Sequence, residues 1–277
     1  AVLLKASGNG GTLTHISGSP FNVRIVPAAS SARGSRLVGQ GLSLVVAGQE
    51  GSFTIEARDG YGNLQTYRPS SSVPFGVVLT GPSTRVCSIR DFEDSSFVAI
   101  YNVTVSGLYT LTITAPSDTA SHTLLVSPAE YWAGTSYIDA NLLTITAGAN
   151  PLVEVSIRDL YNNRIVAPET ESEITSILCS VSGLGPLSVI AKDGNFLIAM
   201  NLTISGRYQM DVSVGSGAIS SSPHSLVISA GTFSAAASVV SGSGLFDIAA
   251  DRAAILTLSP RDALGNAVDI SVRDVAV

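Results

Sequence analysis

Alternation with a period of two dominates this chain. In Gly51-Ser-Phe-Thr-Ile-Glu-Ala-Arg58, residues Phe53, Ile55 and Ala57 fall on one side and polar residues on the other. Successive side chains of a strand point to opposite faces, so this segment reads as a half-buried β-strand. The same parity returns in residues 152–158, with Val153, Val155 and Ile157, and in residues 254–261, with Leu256 and Leu258. Alternating stretches also predict strands over 109–114 and 208–214. Closing strands are expected over 121–127, 223–229 and, near the start of the chain, 19–25. No apolar pattern at i, i+3, i+4, i+7 runs through three turns, so helices are not expected. Many short strands broken by Gly, Pro and Ser predict an all-β chain of sandwiches.

Three of the strands run into one signature. It reads Arg58-Asp59-Gly60-Tyr61-Gly62-Asn63, then Arg158-Asp159-Leu160-Tyr161-Asn162-Asn163, then Arg261-Asp262-Ala263-Leu264-Gly265-Asn266, at spacings of 100 and 103 residues. Gly and Asn tolerate positive φ, and an Asp carboxylate bonds backbone N–H groups two residues on. The signature is therefore a strand-ending turn, with Asp59, Asn63, Asp159, Asn163, Asp262 and Asn266 as its structural residues. Leu42, Leu142 and Leu245 each lie 17 residues before the Asp, so the register holds upstream. A second signature follows in Tyr101-Asn102-Val-Thr-Val-Ser-Gly107-Leu-Tyr109 and Met200-Asn201-Leu-Thr-Ile-Ser-Gly206-Arg-Tyr208. Its Gly-x-Tyr suits a tyrosine corner, in which the hydroxyl bonds back to nearby backbone.

A fixed period of domain size means repeated units. We place the C-terminal end of one unit at 1–27, whole units at 28–127 and 128–230, and the N-terminal part of another at 231–277. Starting at Ala1 and stopping partway through a unit, the chain reads as a fragment of a longer protein. Tyr131 and Trp132 fall at the second boundary, either as ordinary core or cap aromatics or as packing between units.

These residues resemble the filamin-type immunoglobulin-like repeat. The resemblance is carried by Gly39-Gln40-Gly41-Leu42 and Gly242-Ser243-Gly244-Leu245, by the Arg-Asp turns and by the Gly-x-Tyr segments. Gly18-Ser19-Pro20-Phe21 adds to it, with Ser222-Pro223-His224 as a weaker copy. Departures are Val103 and Leu202 where the family has Pro, the missing Gly-x-Gly of the second unit, and Asn162 in place of Gly. The resemblance implies tandem immunoglobulin-like sandwiches with structural and scaffolding work. It also implies partner peptides added as a strand beside the third strand of a sandwich, since a sheet edge offers unpaired N–H and C=O groups. That edge is expected at 73–80, through Val77 and Leu79, and at 174–182, through Ile177 and Cys179.

Composition narrows the partners. Hydrophobic residues make up 45% and charged residues 13%, which favours packed β-structure over disorder. The net charge is −6 with no Lys/Arg cluster, so neither nucleic acid nor an anionic membrane surface is an expected partner. No stretch nears the roughly 20 apolar residues of a membrane helix, and no secretory signal is visible. Cys87 and Cys179 occupy different positions in their units, so they read as two buried free thiols. Asn102-Val-Thr104 and Asn201-Leu-Thr203 are glycosylation sequons whose Asn side chains should point outward. His15, His122 and His224 are the only histidines; the latter two sit at similar places in separate units and read as solvated or turn residues. The repeated Asp lacks the oxygen cluster of a Ca²⁺ site, and Asp91, Glu93 and Asp94 read as a solvated loop. No catalysis, metal or cofactor is expected.

The leading expectation is a non-enzymatic structural or adhesive rod, extracellular or at a cell or organelle surface. Its partners would be other proteins, met through sheet edges or inter-repeat surfaces, or copies of itself. The alternatives are a cytoskeletal or ciliary scaffold that binds peptides by strand addition, and an enzyme with these repeats as accessory modules.

Overall fold

A computed structural model describes residues 3–4, 14–15, 17–18, 20–66, 73–139, 142–169, 172–173 and 175–270. Ser19 and Ile174, both in the sequence expectations, lie outside the described residues. Chain contacts divide the molecule into two compact units. One holds residues 1–45, 50–102 and 107–125; the other holds 46–49, 103–106 and 126–277. The sequence boundary at 230 thus falls inside the second unit.

Near the start, β1 (Leu3–Leu4) pairs with β2 (Thr14–His15). Next come β3 (Ser30–Val38), β4 (Leu44–Val46), β5 (Glu50–Asp59), β6 (Gly76–Thr80), β7 (Arg85–Val86), β8 (Ser88–Asp91), β9 (Ser96–Asn102), β10 (Gly107–Thr114) and β11 (Thr119–Ser127). They form a sandwich of two sheets, in the orders β3-β5-β9-β8 and β4-β11-β10-β6-β7. Phe53 and Ile55 face inward from one sheet and Leu79, Tyr109, Leu111, Ile113 and Leu124 from the other. Each fully buried apolar side chain contributes about 1.5–3 kcal/mol.

The pattern recurs with β12 (Leu142–Thr146), β13 (Leu152–Val155), β14 (Ser172–Glu173), β15 (Ile177–Val181), β16 (Gly185–Leu187), β17 (Val189–Lys192), β18 (Asn195–Ala199), β19 (Gly206–Val214), β20 (Gly217–Ala218) and β21 (His224–Ser229). The sheet orders are β13-β18-β17-β14 and β12-β21-β19-β15-β16, with β20 against β19. Ile198, Met200, Met210, Leu226 and Ile228 fill this core. Last come β22 (Val239–Ser241) and β23 (Thr257–Ser259), which among the described residues pair only with each other. The two sandwiches are of the immunoglobulin-like type. Among the described residues no helix is long and apolar enough to cross a membrane.

Two expected strands differ. Residues 21–26 are not a strand, and Phe21, Val23 and Ile25 lie exposed. The third alternating stretch shortens to Thr257–Ser259, with Leu256 and Leu258 exposed. In both places the described residues supply no second sheet to bury the apolar side.

The Gly-x-Gly motif has a packing cause. Gly39 and Gly41 bring a 3-10 turn down onto β5, where a Cβ at Gly41 would stand 2.6 Å from the Ser52 carbonyl oxygen and 2.7 Å from its nitrogen. Rigid strand backbone cannot yield as a side chain does. Gly41→Ala is expected to cost about 1–3 kcal/mol in urea unfolding. Gly60→Ala, with open space around its Cβ, should leave stability unchanged or raise it by about 0.4–1 kcal/mol.

Candidate functional site

The three Arg-Asp turns have one geometry. In each, Asp Oδ1 accepts the amides two and four residues on: Tyr61 and Asn63 for Asp59, Tyr161 and Asn163 for Asp159, Leu264 and Asn266 for Asp262. Oδ2 accepts the side-chain amide of Asn63, Asn163 or Asn266. It also accepts a distant amide at the start of the repeat, from Ala28, Ala129 or Gly231. All twelve bonds run 2.7–3.0 Å. The Arg closes the loop by donating to the carbonyl of Gly62, Asn162 or Gly265. Those three residues all have positive φ, between 69° and 88°, which is why the position is Gly or Asn.

A serine completes the frame. Ser35, Ser136 and Ser238 accept the amides of Arg58, Arg158 and Arg261 and donate to the carbonyls of Ser31, Trp132 and Ser234. The sequence reading missed these serines, which differ little from their many neighbours of the same type.

Asp59, Asp159 and Asp262 are buried. The Asn63 side-chain bond, aided by the backbone amides, holds the Asp59 carboxyl down at about 2 against the opposing effect of burial. At Asp262 burial pushes the carboxyl up, but the bonds from Asn266, Gly231 and Leu264 outweigh it, again giving about 2. Both folded values lie below the ordinary carboxylate range near 4. Their stabilisation is therefore complete above about pH 4 and is lost as pH falls toward about 2. Urea midpoints should stay level from pH 7 to about 5 and drop between about pH 4 and 2; a midpoint that rises in that window would contradict the assignment.

Within the second unit the Asn reaches further. Asn163 Nδ2 donates to the Thr104 carbonyl at 2.7 Å, and its Oδ1 accepts the Ser106 amide at 2.8 Å. Asn266 does the same with Thr203 at 2.9 Å and Ser205 at 2.8 Å. The turn residue two before the Asn sits over a glycine. A Cβ on Gly48 would strike the Tyr161 ring, and one on Gly148 would come within 2.8 Å of Leu264. Gly48 and Gly148 in turn donate to the carbonyls of Val103 and Leu202, joining glycine turn and Thr-x-Ser loop into one surface. The second signature thus supplies the receiving loop.

Other expected residues fall as follows. Val77, Leu79, Ile177 and Cys179 all point into the cores. The expected edge at Val77 and Leu79 is corrected. There β6 has β10 on one side and, on the other, β7 through Val78–Val86 and Leu79–Arg85, extended by the Cys87 amide on the Val77 carbonyl. In the second copy β16 pairs β15 only from Cys179 to Val181. A groove of 580 Å³ lies alongside, lined by Ile177, Leu178, Cys179, Leu187 and Val189 among others. Asn102 and Asn201 are exposed. Cys87 and Cys179 are free and buried, and burial pushes both thiols up to about 12, so neither is a ready nucleophile.

Tyr208 bonds back to the Ile204 and Ser205 carbonyls as a tyrosine corner does, and the Tyr109 hydroxyl meets the Ser83 hydroxyl at 2.8 Å. His122 is exposed, but His224 is buried where a solvated residue was expected, because it begins β21 on the inward parity. Tyr131 and Trp132 are about half exposed, so neither is a core aromatic. Asp91 and Asp94 bond the Glu93 and Ser96 amides of their own loop. Among the described residues no three His, Cys, Asp or Glu gather as a metal site.

Known proteins match in two ways. Residues 29–121 match the family model of the Filamin/ABP280 repeat. Among solved structures, FdeC, an Escherichia coli adhesin, aligns over 87% of this chain and 77% of its own, at 16% identity and TM-score 0.54. InvD of Yersinia pseudotuberculosis aligns over 86% of this chain and 73% of its own, at 16% identity and TM-score 0.50. At such identities the likeness is one of fold. No curated protein sequence matches the chain.

Proposed function

We propose that this chain, with a filamin-type repeat at 29–121 and immunoglobulin-like sandwiches beyond it, is a non-enzymatic structural and adhesive protein of a cell surface. The repeats run 28–127 and 128–230, with parts of others at 1–27 and 231–277. One observation carries the reading: the same stitched turn closes a β unit three times, on a fold that is also that of an adhesin. A turn tied to the first residues of its own repeat suits an array that holds a surface away from its base. The cytoskeletal or ciliary alternative has no comparable support.

The test is one of location and contact. Biotinylation of intact source cells should label the protein, and beads coated with it should attach to cells or to one another. Recovery from unlabelled cytosol alone, with inert beads, would sink the reading. Asn102 and Asn201 stand exposed for glycan transfer if the chain passes through a glycosylating secretory route; hexose-bearing peptides at either would support this, and bare Asn at both from secreted material would end it.

The open half of the β15 edge favours strand addition as a second binding mode. Pairing on that side begins at Cys179, leaving Ile177 and Leu178 beside the groove. An added peptide would shift amide signals of 175–178 and leave 77–79 unmoved; the reverse pattern would refute it.

A further inference from the structure

The turn at Tyr61–Asn63 matches the other two in every internal bond, yet it differs in exposure. Asn163 and Asn266 are buried at 8% and 9%, each by the glycine turn and Thr-x-Ser loop that it holds. Asn63 is exposed, and Tyr61 is 87% exposed, against 40% for Tyr161 and 51% for Leu264 at the same position of the other two turns. Among the described residues the Asn63 side chain bonds only Asp59. Its Oδ1 and second Nδ2 proton stand where Asn163 and Asn266 take an amide and give to a carbonyl.

We infer that Tyr61–Asn63 is a docking socket for the far end of another repeat of this kind, placed ahead of Ala28. The occupant's chemistry is read from the two filled examples. It offers a carbonyl and an amide two residues apart in a Thr-x-Ser loop followed by Gly, as at 104–107 and 203–206. It also offers a positive-φ glycine, as Gly48 and Gly148 do, on which the Tyr61 ring can lie. A side chain at that glycine would collide with the ring, so the glycine selects for this class of partner. The socket rests on the tandem-repeat reading and is independent of adhesion.

The experiment replaces residues 1–27 with a second copy of residues 128–230, so that its end precedes Ala28 as it precedes Gly231 in the chain. Amide hydrogen exchange is then followed at the Ser205 position of the added copy. That amide should be protected like the native Ser205 amide, and Asn63→Ala should raise its exchange about tenfold or more while leaving the native one unchanged. Equal exchange with and without Asn63→Ala overturns the socket, whatever the protein's location or adhesive behaviour. Should the extended chain not fold, the unaltered chain decides. There Asn266→Ala must deprotect Ser205, and Asn163→Ala must deprotect Ser106, each by about tenfold. Protection that survives both changes would show that the Asn does not hold the loop, and the inference falls.

Discussion

Replacing Asp159 with alanine is expected to destabilise the second unit by about 3–5 kcal/mol. The carboxylate is fully buried and accepts four bonds, from the amides of Ala129, Tyr161 and Asn163 and from the Asn163 side chain. An alanine leaves all four donors facing each other across a small void. Each unsatisfied buried donor costs about 1–3 kcal/mol, and local relaxation toward water recovers part of the total. Asp159→Asn is the sharper companion. It keeps the volume but turns one acceptor into a donor, which then meets the Asn163 amide or the Ala129 N–H, so it should fall between alanine and wild type. With two units the chain need not unfold in one step, so the transition of each unit is followed separately. Hydrogen exchange resolved by residue should show the loss in 129–230 and little change in 50–102. A loss below about 1 kcal/mol would mean that solvent reaches the turn and that the Asp is merely one turn former among several.

The turn was legible in the sequence for a physical reason. Its bonds from Asp to the amides two and four residues on are local, and local geometry selects Asp, Gly and Asn at fixed offsets. The alternation of Phe53, Ile55 and Ala57 was legible for the same reason, since one face of a strand meets the core. What the sequence hid is long-range. The Ala28, Ala129 and Gly231 amides lie about thirty residues from their Asp, and any residue but proline can supply an amide. The Thr104 and Thr203 carbonyls and the Ser106 and Ser205 amides are backbone too, so the second signature gave its register away but not its partner. The strand edge failed through a feature too short to carry a pattern. Two residues, Arg85 and Val86, close β6, and no alternation can be read from two residues.

Two adjacent leucines in β11 test the parity of the whole sandwich. Leu124 is 0% exposed and Leu125 is 48% exposed, one bond along the same strand. Their intrinsic strand preferences are equal, so any difference in the cost of truncation comes from what each face meets. Leu124→Ala removes a side chain that sits with Leu111, Ile113 and Val126 on the inward side of the sheet, and close-packed neighbours refill such a space only in part. The transfer and cavity contributions together predict a loss of about 3–4 kcal/mol. Leu125→Ala keeps the backbone bond from its amide to the Ser43 carbonyl and uncovers little, so it should change stability by no more than about 0.5 kcal/mol. Urea unfolding of the two variants side by side gives the ratio directly. Similar losses for both would mean that the outward face of β11 is itself covered, and a larger loss at Leu125 would mean that the strand runs one residue out of register, turning every side chain of the strand to the other face. The alternation at Thr123, Leu124, Leu125 and Val126 is therefore a direct physical check on the sheet that carries the first repeat.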